Sequence, residues 1–100
     1  MTEYLLSEKA VAALKERALT VFTAESCTGG LVCKMLTDVS GASSVVRGGI
    51  VSYTNEIKNT LLGVDAETLE TYTAGSEQCC HEMAEGALRV LHGEQEASVY

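Results

Sequence analysis

The sequence predicts an α/β fold: a layered α/β/α sandwich around a largely parallel sheet. Three observations predict it. Short runs rich in β-branched and aromatic residues alternate with stretches of helical periodicity along the 100 residues. A strand-like run ends in the glycine-bearing turn Glu25–Gly30, and a helical pattern starts directly after it. The chain contains no proline, no repeat and no low-complexity stretch, so nothing divides it, and residues 1–100 are read as one domain.

The elements follow in order. Residues 7–18 read as a helix that Ser7 can cap, with Val11, Leu14 and Ala18 on one face. Residues 19–24 read as a strand rich in Val, Phe and Thr. After the turn, Leu31, Val32, Met35 and Leu36 recur at helical spacing, and 38–44 is a loop by composition. Gly49–Thr54 is the second predicted strand. Asn55 can cap a short helix that Gly63 ends, and Asp65 can cap another running to about Tyr72. Ser76 can cap the clearest helix, whose apolar stripe is Cys80, Met83, Ala84, Ala87, Leu88 and Leu91, with Gly93 closing it. Ala97–Tyr100 reads as the start of a third strand. Three strands make a thin sheet, and natural domains seldom stop within a strand, so C-terminal strands are expected to be missing from this chain.

Composition excludes several classes. A hydrophobic share of 46% suits a globular chain. No apolar run approaches the roughly 18 residues of a membrane span. The start of the chain lacks the basic and long apolar regions of a secretory signal, so a cytoplasmic location is expected. A net charge of −7 with seven Lys and Arg argues against gripping nucleic acid through its phosphates. The four cysteines form no C-x-x-C pair, which removes zinc-ribbon and thioredoxin readings. They read as reduced thiols, mostly buried. A chain this short leaves much surface wet, and a homo-oligomer that buries more of it is expected.

Ligands of such folds sit at the carboxyl ends of strands, here residues 24–30 and 53–58. In Glu25-Ser26-Cys27-Thr28-Gly29-Gly30, backbone N–H groups and a helix start converge where a phosphate or an oxyanion can be held. Ser26 can be a nucleophile there if a base is near. The plainer reading is that Ser26 and Thr28 cap the helix and the glycines make the turn. In the second stretch, Tyr53 ends a strand and Lys58 enters the next helix, so both can face one crevice. Lysines partly removed from water give up their proton more readily and can serve a serine as base, with a tyrosine relaying the proton. The plainer reading is a solvated lysine beside a tyrosine at a sheet end. Other signatures fail. There is no G-x-G-x-x-G and no phosphate-loop G-x-x-x-x-G-K. His81-Glu82 does not continue to a zinc motif, because position 85 is Glu85, and no metal site is expected. His81 and His92 read as helix-surface residues.

The string Thr23-Ala24-Glu25-Ser26-Cys27-Thr28-Gly29-Gly30 resembles the T-A-E-S-C-T-G-G motif of CinA C-terminal-type domains, the family of nicotinamide-nucleotide amidohydrolases. Gly41-Ala42-Ser43-Ser44, the run Arg47-Gly48-Gly49-Ile50-Val51-Ser52-Tyr53-Thr54-Asn55-Glu56-Ile57-Lys58 and Leu61-Leu62-Gly63-Val64 follow at the family's spacing. The resemblance implies an amidohydrolase that converts nicotinamide mononucleotide to nicotinic acid mononucleotide and ammonia in pyridine-nucleotide salvage, without a cofactor. It implies Ser26, Tyr53 and Lys58 as catalytic residues, and Thr28, Gly29, Gly30, Arg47 and Asn55 as substrate-binding residues. Two departures stand against this. The family's G-A-V-S-E element is altered to Thr73-Ala74-Gly75-Ser76-Glu77. The family's G-[IV]-A-G-P loop lies beyond Tyr100 and is absent. A non-catalytic nucleotide-binding or interaction module and an inactive truncated member are therefore the competing expectations.

Overall fold

The structure, a computed structural model, describes residues 2–93, and side chains from Tyr4. The first helix, α1, is Thr2–Glu16. It begins before Ser7, which is a buried helical residue and not the expected cap. The apolar register of Val11 and Leu14 was legible, but Tyr4, Leu5 and Leu6 extend the helix toward the N-terminus, and it ends at Glu16 rather than Ala18.

Strand β1 is Val21–Glu25 and strand β2 is Val46–Val51. They pair in parallel, Thr23 opposite Gly49, Ala24 opposite Ile50 and Glu25 opposite Val51. The second strand thus begins three residues earlier than Gly49, the expected start. Val21 pairs with Val46 but Phe22 with Gly48, so Arg47 is an extra residue in β2, a bulge at which the ladder shifts register. The Gly48-Gly49 pair lies inside the strand, next to that irregularity, where glycine lets the backbone bend.

Helix α2 is Leu31–Thr37, followed by a short 3₁₀ turn at Ala42–Ser44. Helix α3 is Asn55–Leu62, α4 is Ala66–Tyr72 and α5 is Glu77–Leu91. The cap of α3 is Thr54, whose hydroxyl accepts from Ile57 N, and not Asn55, which is the first helical residue. Asp65 and Ser76 cap α4 and α5 as their spacing predicts, accepting from Glu67 N and Cys79 N.

Two cores flank the sheet. On one side Val11 of α1, Val39, Ala42 and Val45 gather with Leu14, Leu36 and Val46. On the other, Leu62 and Val64 meet Cys79, Met83 and Ala87 of α5, with Phe22, Ala24 and Ile50 of the sheet packed against them. Helices on both faces of a parallel pair give the α/β layering that was expected. Close approach sets the second core. A Cβ on Gly86 would overlap the carbonyl oxygen of Leu62 and lie 2.7 Å from its carbonyl carbon, so only glycine lets α5 press on the end of α3. The expected α5 stripe divides accordingly. Met83 and Ala87 are buried with Cys79 and Gly86, while Cys80, Ala84, Leu88 and Leu91 line a groove of about 490 Å³ beside β1. The third predicted strand, Ala97–Tyr100, lies outside the described residues, among which the sheet has two strands.

Candidate active site at the strand ends

Parallel pairing sets the carboxyl ends of β1 and β2 side by side. The ladder continues one residue past the strands: Ser52 N donates to the carbonyl oxygen of Glu25 at 2.8 Å, and the buried Ser52 hydroxyl donates to the same oxygen at 3.4 Å. The next residues along the two chains are Ser26 and Tyr53, so two of the three predicted catalytic residues leave the sheet next to each other. Ser26 is half-buried, whereas the Tyr53 side chain is 73% exposed.

Lys58 reaches the same place from α3. Side chains on a helix lean toward its N-terminus, so a lysine on the fourth residue of α3 points back to the strand that feeds it. Its ammonium donates to the carbonyl oxygen of Tyr53 at 2.9 Å. The residue is only 1% exposed, and among the described residues it forms no salt bridge. An ammonium has three N–H donors, and burying them is costly unless they are matched. Its neighbour across the core is Cys79. Burial pushes the Cys79 thiol up, and the Lys58 charge pulls it part of the way back.

Between β1 and α2 the chain makes the tight turn that its glycines predict. Gly29 N donates to Ser26 O at 3.0 Å and Leu31 N to Thr28 O at 3.1 Å. Gly29 and Gly30 take φ of 64° and 99°, which side-chain-bearing residues rarely adopt. Among the described residues the amides of Thr28 and Gly30 have no acceptor within the chain.

The first amides of α2 are not open to a ligand. Glu25 reaches over the turn, and its carboxylate accepts from Val32 N at 2.8 Å and Cys33 N at 2.9 Å. It also accepts from the hydroxyls of Thr28 at 2.7 Å and Thr23 at 3.0 Å. The residue is 6% exposed. Burial pushes its carboxyl up, but the hydrogen bonds from Thr28, Cys33, Val32 and Thr23 together outweigh burial and hold it below the ordinary 4.5. The Thr28 hydroxyl is committed to Glu25, and the cap position, Gly30, has no side chain. Sequence reading included Glu25 in the motif without giving it a task. The available sign was an acid just before a helix whose cap is glycine.

The remaining predicted residues divide. Asn55 is exposed in the first turn of α3, close in sequence to Tyr53. Arg47 lies at the other end of β2, six residues before Tyr53, about 20 Å away at strand rise. It lines the groove beside Leu19, Phe22 and His92 instead of joining Ser26. Among the described residues, no cluster of His, Cys, Asp and Glu could hold a metal, and no helix is long and apolar enough to cross a membrane.

Known proteins show which family the chain belongs to. The family described as "CinA C-terminal domain" matches residues 3–99. The chain is 47% identical to the nicotinamide-nucleotide amidohydrolase PncC of Escherichia coli K12 over 94 residues, covering 94% of this chain and 57% of that protein. It is 44% identical to a CinA-like protein of Thermotoga neapolitana, covering 23% of that protein. Among solved structures it resembles competence/damage inducible protein CihA of Agrobacterium tumefaciens, with TM-score 0.82 and 44% identity over 88% of this chain and 53% of that one. It also resembles the competence damage-inducible protein A of Klebsiella pneumoniae, with TM-score 0.86 and 34% identity over 90% and 56%. The chain thus spans little more than half, or less, of each of these relatives.

Proposed function

Because the chain belongs to the CinA C-terminal domain family, we propose that it is an amidohydrolase that releases ammonia from nicotinamide mononucleotide, using Ser26 as nucleophile. The observation that carries the proposal is the buried amino group of Lys58, hydrogen-bonded to the carbonyl of Tyr53 where the chain leaves β2 beside Ser26. An ammonium-bearing side chain that lacks a carboxylate partner is poor structural material and useful proton-transfer material. The 47% identity to a protein named for this activity supports the choice of substrate.

The chemistry runs as follows. Acting as base, Lys58 takes the proton of the Ser26 hydroxyl, with Tyr53 turning inward as relay. The Ser26 oxygen bonds to the carboxamide carbon, and the carbonyl π pair moves onto oxygen. The amides of Thr28 and Gly30 are free to hold either that oxyanion or the 5′-phosphate of the substrate. The carbon–nitrogen bond then breaks. Its electron pair leaves with nitrogen, which takes the proton from Lys58 and departs as ammonia, leaving an ester on Ser26. Water, deprotonated by Lys58, cleaves the ester to nicotinic acid mononucleotide and restores the serine. Asn55, exposed two residues after Tyr53, can contact a nucleotide at the strand ends, and Arg47 serves substrate only if the nucleotide extends to the far end of β2. The same reading makes the protein a cytoplasmic homo-oligomer acting on a small nucleotide.

The test is ammonia release from nicotinamide mononucleotide by the full chain and by Ser26→Ala, with circular dichroism on both. Release by the parent and a fall of about 10³-fold or more in Ser26→Ala support the proposal. A folded parent that binds the nucleotide without releasing ammonia leaves a nucleotide-binding module and overturns it.

A further inference from the structure

One side chain ties down the turn that carries Ser26, and the proposed chemistry does not use it. The oxygens of Glu25 divide their four donors evenly. Oε1 accepts from Thr28 Oγ1 and Val32 N, and Oε2 from Thr23 Oγ1 and Cys33 N. Those donors lie before the turn, within it and after it, so the 26–30 loop closes around a single carboxylate. Both oxygens must accept, which an ionised carboxylate does and an amide does not: a glutamine would set its NH₂ against one of the two backbone N–H groups, which, unlike the threonine hydroxyls, cannot turn to accept. No local cap shares the work, because Gly30 has no side chain to offer. The main chain of the same residue anchors the other half of the site, since its carbonyl oxygen accepts from Ser52 N and Oγ, directly before Tyr53. Glu25 is therefore a common reference for Ser26 and for the strand end on which Tyr53 and Lys58 depend.

We propose that Glu25 is a positioning residue for Ser26: its carboxylate holds the 26–30 turn in the shape that aims the Ser26 hydroxyl and the Thr28 and Gly30 amides at substrate, while touching no substrate itself. Its effect on turnover rests on the amidohydrolase reading, but its effect on the turn does not. A carboxylate that only stabilised α2 would make its loss felt in stability and leave the chemical step alone.

Amide hydrogen exchange by NMR on the full chain, in the parent, Glu25→Gln and Thr28→Val, separates these cases when paired with kcat and KM for ammonia release from nicotinamide mononucleotide. In Glu25→Gln the amides of Gly29, Val32 and Cys33 should speed up by about 10-fold or more beyond whatever acceleration Met83 and Ala87 of α5 show from lower global stability. The same variant should lose about 10-fold or more in kcat with KM held within about twofold, and Thr28→Val should show a smaller change of the same kind. Faster exchange at an unchanged kcat would reduce Glu25 to a helix cap and overturn the proposal. So would unchanged exchange at the three turn amides, or equal acceleration in α5. If Glu25→Gln does not fold, Thr28→Val decides by the same comparisons. If the parent releases no ammonia, the amidohydrolase reading fails by itself, and exchange at Gly29, Val32 and Cys33 alone upholds or overturns the hold of Glu25 on the turn.

Discussion

Lys58 keeps its ammonium almost out of water with a backbone carbonyl as its acceptor. Replacing such a group by an apolar one of similar length removes a desolvation cost along with one hydrogen bond. Lys58→Met should therefore unfold at equal or higher denaturant, with a gain of up to about 2 kcal/mol, and should lose about 10²-fold or more of any ammonia release. A marked loss of stability would mean that the lysine is kept for the fold. Glu25 behaves in the opposite sense. Its carboxyl is held below the ordinary 4.5 in the folded chain, so it contributes stability that is present above 4.5 and is lost as pH falls through the lower, folded value. Glu25→Gln should cost about 1–3 kcal/mol near neutral pH. Melting curves of variant and parent should converge as pH drops below 4.5, and a gap independent of pH would count against an ionised Glu25. The sequence showed Ser26, Tyr53 and Lys58 as position-matched chemistry, because strand ends can be read from composition. The task of Glu25 was hidden, because the amides it caps are seven and eight residues away, beyond the local patterns by which caps are recognised.

Among the elements, the helices were the easier to read. Asp65 and Ser76 sit just outside periodic runs and cap them, whereas the expected cap Asn55 is already helical, and the extended backbone of Thr54 takes the cap position one residue earlier. The strands were harder to bound. Gly48 and Gly49 lie where β2 shifts register against β1, a feature that has no sequence period. Nor could periodicity say which part of the α5 stripe would be covered. Gly86 decides that by admitting the backbone of Leu62. In an exposed helix Gly→Ala gains up to about 1 kcal/mol, but here the added methyl meets a carbonyl that cannot rotate away. Gly86→Ala should instead destabilise by about 1–3 kcal/mol, read as a lower urea midpoint, and an unchanged or raised midpoint would show that α3 and α5 can part without loss.

In the whole molecule, two helical layers enclose a sheet in which, among the described residues, β1 pairs only with β2, and a groove lined by α5 and β1 lies beside it. Open strand edges and apolar grooves favour association. Leu5, Leu6 and Leu19 are likewise exposed. Sedimentation velocity at tens of micromolar is expected to give twice the monomer mass or more, and a monomer at every concentration would remove the expected homo-oligomer. The layered class was legible because alternation of elements survives in a short chain. The sheet order was not, since it depends on which edges neighbours occupy.

The hold of Glu25 on α2 also bears on how the molecule acquires its shape. A seven-residue helix cannot sustain itself in water. Its first amides are matched by a residue of β1, and β1 is aligned only once it has met β2 across the intervening chain. Nucleation of α2 must therefore wait for a non-local encounter, so the Ser26 turn matures late in folding and is among the first parts released on unfolding. Refolding followed at Val32 and at Met83 would reveal that order as a lag between the two.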